Sequence, residues 1–313
     1  MKYLVGVDGG GTGSSCVITD PEGKVLFSCK GGPTNFLRYD IDEVCKTLYS
    51  LLNECKKSQK ISFKDIGGVV IGTAGGGREK DAMFLEKQLI KYLRLKKAPM
   101  KFIKVIDDGI IALEGAFSGG PGCILISGTG SIIYGKNQKG KYFRLGGYGN
   151  RIGDEGSGYS IGRKGLNAVA KNFDGRAEKT MLTGYLRRHF KINNGQFLID
   201  KIYSGNFDIA SFAPFVIKVA GKKDKISINI LNDEAEELLL HIKAMKKLLN
   251  NKFDIAFLGS LISGKNYYSD LLKKKINREL KGVKIVKPEN SPEVGAVLLA
   301  RQLIKNISAL NNL

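Results

Sequence analysis

The chain has 313 residues, of which 42% are hydrophobic, and it carries a formal net charge of +20. This length and composition exclude a disordered chain and leave room for two domains with well-filled cores. No apolar run approaches the roughly 20 residues that span a bilayer, so we expect no membrane segment. The first predicted strand begins at Tyr3, which leaves no space for a secretion signal, and we therefore expect a cytoplasmic protein.

The positive charge does not by itself predict nucleic-acid binding. Clustered lysines and arginines supply most of the affinity for a phosphate backbone. Here the lysine pairs and triplets are dispersed over helix-like segments, where they alternate with apolar residues as solvated helix faces do. We expect no nucleic-acid partner, although a basic surface attracts anionic substrates such as nucleotides.

The cysteines predict neither a disulfide framework nor a zinc site. There are five of them, without a Cys-x-x-Cys spacing, and only two histidines. Cys16, Cys29 and Cys123 lie in strand-like runs, whereas Cys45 and Cys55 share a helical spacing with apolar neighbours. We expect all five to be small, buried core residues.

The first half of the chain predicts three strands followed by alternating helices and strands. The three strands are expected near residues 3–8, 14–20 and 24–30. The later elements are expected as helix, strand, helix and strand near residues 40–57, 66–72, 79–95 and 102–107. Asp40 and Glu43 have the spacing of a capping box at the first helix. The last of these strands delivers Asp107 and Asp108 at its carboxyl end.

The second half repeats this order around a long insertion. Three strands are expected near residues 122–127, 131–136 and 141–146, and a helical insertion from about 155 to 251 follows. The pattern resumes with strand 253–258, helix 267–281 and strand 283–287. Ser291 as N-cap and Pro292 at the first helical position mark a closing helix, which we expect to pack back on the first domain. The repeat predicts two α/β domains with mixed sheets, in which ligands bind beyond the carboxyl ends of the strands.

The tetrapeptide Gly-Thr-Gly-Ser occurs at residues 11–14 and again at 128–131, each time between two strand-like runs. Each copy predicts a tight hairpin, and we attribute its glycines to the backbone angles that such turns require. Backbone N–H groups without side-chain bulk can also approach an anionic oxygen, and Thr12 and Thr129 add hydroxyl donors. A single copy would be explained by an ordinary turn. Two copies, the first preceded by Asp8, favour paired hairpins that hold a polyphosphate.

Two acidic segments carry candidate chemistry. Asp108, at a strand end, could accept a proton from a substrate hydroxyl. The alternative is that residues 107–109 form only a turn and an N-cap for a helix that begins at Ile110. Asp154 and Glu155 lie in the glycine-rich segment 147–157 and could hold sugar hydroxyls. The alternative for these two acids is a helix start, where negative charge is common.

Residues 259–266 follow a predicted strand and nearly match a P-loop, Gly-x4-Gly-Lys-Ser/Thr. The final residue, Asn266, lacks the hydroxyl that would bind Mg²⁺ in a P-loop. The two hairpins already offer a different phosphate site. We therefore interpret this stretch as a nucleotide-facing turn between a strand and a helix, with the P-loop as the weaker alternative.

Five motifs in order resemble the N-acetylglucosamine kinase branch of the sugar kinase, Hsp70 and actin superfamily, which shares a sequence family with the BadF/BadG/BcrA/BcrD ATPases. The motifs are residues 6–12, 31–35, 107–113, 127–131 and 153–157, and the resemblance extends to 292–296. It implies two duplicated ribonuclease H-like (actin-like ATPase) α/β domains around a nucleotide- and sugar-binding cleft. We expect these domains at 1–115 and 116–291, with the helical insertion at about 155–251 and a C-terminal helix at 292–313.

The resemblance also implies an activity: transfer of the γ-phosphoryl group of ATP, with Mg²⁺, to a hydroxyl of an amino sugar. N-acetylglucosamine and glucosamine are the favoured substrates, N-acetylmuramic acid remains open, and position 6 is the family expectation for the hydroxyl. Relatives are often dimers, so a homodimer is expected. Asp107 stands where relatives often have Asn or Thr, so this chain offers two adjacent aspartates as the base. The register with residues 112–113 favours Asp108.

Further site roles follow from the same resemblance. Asp8 would orient metal-bound water. The phosphates would meet Gly10, Gly11, Thr12, Gly128, Thr129 and Gly130. The sugar would meet Asn35, Asp108, Gly147 and Asp154. Adenosine would lie against Gly259 and Ser260.

Two other functions compete with the sugar kinase. One is the family's ATPase that activates 2-hydroxyacyl-CoA dehydratases or benzoyl-CoA reductase, in which exposed cysteines hold an iron–sulfur cluster. The cysteines here are expected to be buried, which disfavours it. The other is a non-catalytic sugar sensor, since the superfamily includes transcriptional regulators. No helix-turn-helix segment precedes Tyr3, which ranks this function last.

Overall fold

A computed structural model describes residues 3–205 and 207–310. The strands are β1 Tyr3–Gly9, β2 Ser14–Thr19, β3 Val25–Gly31, β4 Ile66–Thr73, β5 Ile103–Asp107, β6 Gly122–Ser127, β7 Ser131–Lys136, β8 Tyr142–Gly146, β9 Phe253–Leu258 and β10 Val283–Val286. The α-helices are α1 Ile41–Ser58, α2 Glu79–Leu95, α3 Asp108–Ala116, α4 Gly158–Phe173, α5 Met181–Phe190, α6 Gly195–Tyr203, α7 Ala213–Ala220, α8 Lys225–Leu248, α9 Tyr267–Glu279 and α10 Pro292–Leu310. Within the described ranges, none of these helices is both long enough and apolar enough to cross a membrane.

The chain divides into two compact units, Met1–Pro121 with Lys287–Leu313, and Gly122–Val286. Each unit holds one five-stranded mixed sheet, in the order β3-β2-β1-β4-β5 or β10-β9-β6-β7-β8. In both sheets three antiparallel strands are extended by two parallel ones. The predicted duplicated α/β fold is confirmed. The units divide at 121/122 and 286/287, where the sequence suggested 115/116 and 291/292.

The sheet of the first unit is covered by helices on both faces. Successive side chains of a strand point to opposite faces, and β1 follows this rule with a run of apolar residues. Val5 and Val7 pack in one cluster with residues of α1 and α2. Leu4 packs on the opposite side with Val297 of α10. The closing helix therefore completes the core of the first unit.

Close approach of α10 to its neighbours depends on glycine. A Cβ at Gly6 of β1 would lie 2.0 Å from the carbonyl oxygen of Glu293. A Cβ at Gly295 would lie 2.0 Å from the carbonyl oxygen of Ile111 and 2.3 Å from the backbone nitrogen of Gly115, both in α3. These contacts involve backbone atoms, which cannot move aside as a flexible side chain can.

We expect Gly295→Ala to destabilise the protein by about 1–3 kcal/mol, the usual cost of overpacking, despite the better helix propensity of alanine. The matched control is Gly184→Ala in α5, where an added Cβ meets nothing within 4 Å. That variant should be unchanged or more stable by up to about 1 kcal/mol. Urea unfolding of both variants measures the difference, and equal midpoints would contradict the packing argument.

The helical insertion forms the core of the second unit with its sheet. Apolar residues of α4 to α8 share one buried cluster with Leu125, Ile133 and Ile255 of the strands. Tyr268 at the start of α9 is fully buried in this cluster, and its hydroxyl donates to the carbonyl oxygen of Gly156 at 3.1 Å. Helix α9 thus supports the loop that precedes α4.

Candidate active site

Three parallel strands of the first unit end in line. Gly9 of β1 pairs with Thr73 of β4, and Thr73 pairs with Asp107 of β5. The chain segments that leave these strands therefore begin at the same edge of the sheet. In α/β sheets this carboxyl edge is where ligands bind.

The first hairpin turn, residues 10–13, leads from β1 into β2 at this edge. The backbone N–H of Gly10 donates to the carbonyl oxygen of Gly13 at 2.9 Å. None of Gly10, Gly11 and Gly13 has a positive φ, so the prediction that the turn needs glycine for its backbone angles is wrong. A Cβ at Gly11 would meet nothing within 4 Å, and Thr12 is exposed. The absent side chains instead leave backbone accessible on an open side of the turn.

The second turn, residues 128–130, has the same character in the second unit. Gly128 and Gly130 also lack a positive φ, and a Cβ at Gly128 would meet open space. Thr129 is exposed. A Cβ at Gly130 would lie 2.9 Å from the Oδ2 atom of Asp154. The carbonyl oxygen of Gly128 accepts from the N–H of Gly158 at 2.7 Å, so the start of α4 holds the turn in place.

The two adjacent aspartates after β5 have different structural roles. Asp107 is buried and acts as the N-cap of α3, accepting from the N–H of Gly109 at 2.9 Å. The helix begins at Asp108, not at Ile110 as the capping alternative assumed. Capping therefore explains Asp107 and leaves the role of Asp108 open. Burial raises the pKa of Asp108 to about 7, with further contributions from a hydrogen bond to Asp107 and from the charges of Asp107 and Asp8.

Asp8, near the end of β1, adds a second perturbed carboxylate at this edge. Burial raises its pKa to about 6, and the charge of Glu293 raises it further. Negative charge is therefore concentrated around Asp8 and Asp108. A hard divalent cation bound by oxygen atoms and water would relieve this repulsion, so the residues present fit Mg²⁺.

Asn35 is fixed in the segment that follows β3. The N–H of Thr34 donates to the carbonyl oxygen of Gly10 at 3.1 Å, and the Thr73 hydroxyl donates to the carbonyl oxygen of Thr34 at 3.0 Å. The Asn35 Oδ1 atom accepts from the N–H of Leu37 at 3.1 Å. This bond orients the amide, whose remaining groups are N–H donors suited to a hydroxyl oxygen.

In the second unit, Asp154 lies in a loop behind the second turn. Its φ is +61°, and its Oδ1 atom accepts from the N–H of Ser131 at 3.4 Å. Burial raises the pKa of Asp154, and the N–H of Ser131 partly opposes this shift. The Ser131 hydroxyl donates to the carbonyl oxygen of Glu155 at 2.6 Å. Helix α4 begins only at Gly158, with Ser157 as its N-cap, so the alternative of acids in the first helical turn is wrong.

Gly147, at the start of the same loop, has a backbone conformation and neighbours that limit which residue can stand there. Its φ is +68°, and a Cβ there would lie 2.4 Å from the Cδ1 atom of Ile132. Its carbonyl oxygen accepts from the Arg144 guanidinium at 2.8 Å. The positive φ favours glycine here, whereas the Ile132 side chain could rotate away from an added Cβ.

A residue that the sequence analysis missed, Glu234 of α8, supports this loop from the protein interior. Its carboxylate is 1% exposed. It accepts from the backbone N–H of Gly156 and, at 2.7 Å, from the hydroxyl of Ser160, and it forms an ion pair with Lys164 at 2.8 Å. The loop and α8 are far apart in the chain. The one signal for Glu234 in the sequence is that an acidic residue occupies a helix position whose neighbours at helical spacing are mostly apolar.

Residues 259–266 connect β9 to α9. Gly259 has a φ of +87°, and a Cβ there would lie 2.3 Å from the carbonyl oxygen of Ser127, whereas Ser260 is exposed. Asn266 is the N-cap of α9: its Oδ1 atom accepts from Ser269 and its amide donates to the carbonyl oxygen of Leu261. The side chain in the P-loop's metal-binding position is thus engaged in capping, which argues against the P-loop alternative.

The predicted site residues fall into two groups, one in each unit. The first unit contains Asp8, Gly10, Gly11, Thr12, Asn35 and Asp108. The second contains Gly128, Thr129, Gly130, Gly147, Asp154, Gly259 and Ser260. In each unit one glycine turn and at least one partly buried carboxylate lie at or behind the carboxyl end of the central strands.

Comparison with known proteins identifies relatives over nearly the whole chain. The model of the BadF/BadG/BcrA/BcrD ATPase family matches residues 5–300. An N-acetylmuramic acid/N-acetylglucosamine kinase from Clostridium acetobutylicum is 37% identical over 96% of this chain and 99% of its own length. An N-acetyl-D-glucosamine kinase from Dictyostelium discoideum is 30% identical over 96% of this chain and 98% of its own length.

The fold agrees with that of a solved structure. The crystal structure of a candidate N-acetylglucosamine kinase from Chromobacterium violaceum superposes with a TM-score of 0.74 at 23% identity, over 96% of this chain and 99% of the other. This likeness bears on the fold alone, whereas the family model and the two kinases bear on ancestry. The chain belongs to the BadF/BadG/BcrA/BcrD ATPase family.

Proposed function

We propose that this protein is an ATP-dependent kinase that phosphorylates a hydroxyl of an amino sugar, with position 6 as the expected acceptor. The observation that carries this proposal is Asp108, a carboxylate at the carboxyl edge of the first sheet whose pKa is raised to about 7. A general base works best when its pKa lies near the working pH. The kinase relatives and the glycine turns are consistent with the same activity.

The two glycine turns would bind phosphate oxygens through their backbone N–H groups. The open space beside Gly11 and Gly128 supports this role, because a ligand can approach the backbone there. Thr12 and Thr129 would add hydroxyl donors, and Gly259 with Ser260 would contact adenosine. Asp8 would hold Mg²⁺ through water. The metal, when bound, neutralises charge on the β- and γ-phosphate oxygens.

Asp108 would accept the proton as the sugar hydroxyl oxygen bonds to the γ-phosphorus. The bond from that phosphorus to the β,γ-bridging oxygen breaks, and its electron pair leaves with ADP. The transition state of such transfers is loose, so positioning and charge stabilisation contribute more than covalent help. The chemistry requires no further protein nucleophile.

Asn35, Asp108, Gly147 and Asp154 would position the sugar. Asn35 supplies amide donors and Asp154 supplies carboxylate acceptors, a combination suited to hydroxyl groups. The relative at 37% identity is named for both N-acetylmuramic acid and N-acetylglucosamine, so both sugars belong beside glucosamine among the candidate substrates.

The decisive experiment measures ADP release from Mg·ATP with glucosamine, N-acetylglucosamine, N-acetylmuramic acid, N-acetylmannosamine and glucose. We expect turnover that depends on one or more of the amino sugars, with a phosphorylated sugar as product. Slow ADP release that is indifferent to every sugar would overturn the kinase proposal and direct attention to a protein partner, as in the activator ATPases.

Activity should fall in acid as Asp108 becomes protonated. Its pKa is raised to about 7 and that of Asp8 to about 6, and both groups are needed as carboxylates. The value of kcat/KM, which reports on the free enzyme, should therefore rise with pH and level off above about 7. A profile that is flat from pH 5 to 8 would contradict the assignment.

Gly128→Ala should impair ATP binding without affecting folding. The added Cβ meets no protein atom within 4 Å, so we expect an unchanged Tm. It would hold a phosphate oxygen away from the backbone N–H, and loss of such a charge-assisted hydrogen bond costs about 1.5–3 kcal/mol, roughly a 10- to 150-fold rise in the KM for ATP. An unchanged KM for ATP would show that this turn does not bind the phosphates.

Two further properties complete the proposal. The protein would act in the cytoplasm, because that compartment supplies ATP, and it would form a homodimer, as the family resemblance implies. Sedimentation equilibrium of the purified protein tests the second point, and a monomer at all concentrations would refute it.

A further inference from the structure

Three of the five cysteines form a cluster in the first unit that the sequence analysis did not predict. Cys16 of β2 pairs with Cys29 of β3 across the hairpin, and Cys55 reaches the same place from α1. The three sulfur atoms all lie within 4.8 Å of one another, and the Cys16 and Cys55 sulfurs are 3.4 Å apart. Cys29 is only half-buried, which corrects the expectation that all five cysteines are buried.

We propose that Cys16, Cys29 and Cys55 bind one thiophilic divalent cation of the zinc class. Zinc–thiolate bonds of about 2.3 Å at tetrahedral angles place sulfur atoms about 3.8 Å apart. The 3.4 Å between the Cys16 and Cys55 sulfurs and the 4.8 Å limit for all three are close to this value, so small side-chain rotations suffice to bring the sulfurs onto one ion. The site is separate from the residues proposed for phosphoryl transfer.

A fourth ligand is available beside the cluster. The carboxylate of Glu54, one residue before Cys55, lies near Cys29. A hydrogen bond with Cys16 lowers the pKa of the Cys29 thiol, and Glu54 acts to raise it. Carboxylate oxygen completes zinc sites that have three other protein ligands. Glu54 is exposed, so its carboxylate is free to turn toward an ion at the half-buried side of the cluster.

The cluster is closest to solvent at Cys29, which is half-buried. A surface cavity of about 570 Å³ lies nearby; its lining includes Lys30, Leu51 and Glu54 but none of the three cysteines. Two lysines and two glutamates line it, so its charges balance and do not repel a cation. Because Cys29 is half-buried whereas Cys16 and Cys55 are buried, an ion would enter on the side of Cys29.

Packing of the core explains this arrangement of thiols less well than a metal site does. Cys45 and Cys123 show how a cysteine is used in these cores, as a buried residue outside any group of thiols. In the cluster, by contrast, three thiols from three separate elements converge at a site that opens to the surface. An ion held there would tie α1 to the β2–β3 hairpin, and β2 continues directly from the turn at residues 10–13.

The test uses the full chain, reduced and freed of metal by a chelator. We expect one Zn²⁺ to bind per chain in a competition titration with a chromophoric chelator, and Co²⁺ to produce thiolate charge-transfer absorption. Cys29→Ser should weaken zinc binding by at least about 100-fold and abolish that absorption, and Glu54→Gln should weaken it by about 10–100-fold. Cys45→Ser, in the same helix as Cys55, should bind zinc normally.

Thermal unfolding separates a metal site from a packing cluster. Zinc at 100 times its wild-type Kd should raise the unfolding free energy of the wild type and of Cys45→Ser by about 2.7 kcal/mol, and that of Cys29→Ser by no more than about 0.4 kcal/mol. Zinc binding that persists in Cys29→Ser, or the absence of any cobalt–thiolate absorption in the wild type, would overturn the proposal. A brown protein that contains iron and sulfide would overturn it too, in favour of an iron–sulfur cluster.

Discussion

Asp108→Asn will lower kcat by about 10²–10⁴-fold, the usual contribution of a general base, with little change in the KM for ATP. The substitution preserves shape but removes the group that accepts the hydroxyl proton. Asn is also tolerated in the first turn of a helix, so α3 should form normally. Steady-state ADP release under saturating sugar, together with an unchanged circular dichroism spectrum, measures this expectation.

The adjacent Asp107 provides a matched control for Asp108. Asp107→Asn keeps an N-cap of comparable strength, so folding and most of the activity should be retained. The Asp107 carboxylate contributes to the raised pKa of Asp108. Its removal should therefore shift the acid limb of the pH profile to lower pH. If Asp107→Asn were the inactive variant and Asp108→Asn the active one, the two roles would be reversed.

Glu234→Ala will destabilise the protein by about 2–6 kcal/mol, because two buried donors each lose their acceptor at a cost of about 1–3 kcal/mol. The substitution removes the acceptor of the Gly156 N–H and of the Ser160 hydroxyl, both of which are buried. Chemical unfolding gives the free energy directly. We also expect a higher KM for the sugar, because the loop that bears Asp154 loses its support.

Two controls separate the buried carboxylate of Glu234 from general effects on α8. Asp233→Ala changes the exposed neighbour and should alter stability by no more than about 0.5 kcal/mol. Glu234→Gln keeps an acceptor for the Gly156 N–H, and Lys164 is exposed enough to be hydrated. We therefore expect this variant to lose less stability than Glu234→Ala and more than Asp233→Ala. Equal losses for Asp233→Ala and Glu234→Ala would show that the hydrogen bonds to the loop contribute little.

The fold could be predicted from the sequence because its cues are local. The cues are the spacing of apolar residues, the glycine turns and the capping residues, and each lies within or beside one element. Helix α2, for example, spans the predicted residues 79–95. The capping role of Asp40 was also predicted, and it accepts from the N–H groups of Asp42 and Glu43. Such features act over a few residues, so they can be recognised in the sequence without knowing any tertiary contact.

The site was only partly predictable, because much of it depends on contacts between distant segments. Cys16 and Cys29 could have been paired from the hairpin register, but nothing local brings Cys55 of α1 beside them. Glu234 is likewise joined to its loop only by the fold. The sequence marks the positions of the two glycine turns correctly, but backbone angle does not explain their glycines, since none has a positive φ. Gly11 and Gly128 have open space beside them, whereas a Cβ at Gly10 or Gly130 would lie within 3.0 Å of another atom.

The return of α10 to the first unit constrains the order in which the chain can fold during synthesis. The second unit is one continuous segment, Gly122–Val286, and all of its core residues have been translated before α10 emerges. The first unit must wait, because Val70 and Ile111 are covered by Ala296, Leu299 and Ala300 of α10. A nascent chain therefore exposes an apolar sheet face from the synthesis of β4 until that of α10, a surface that invites chaperone binding.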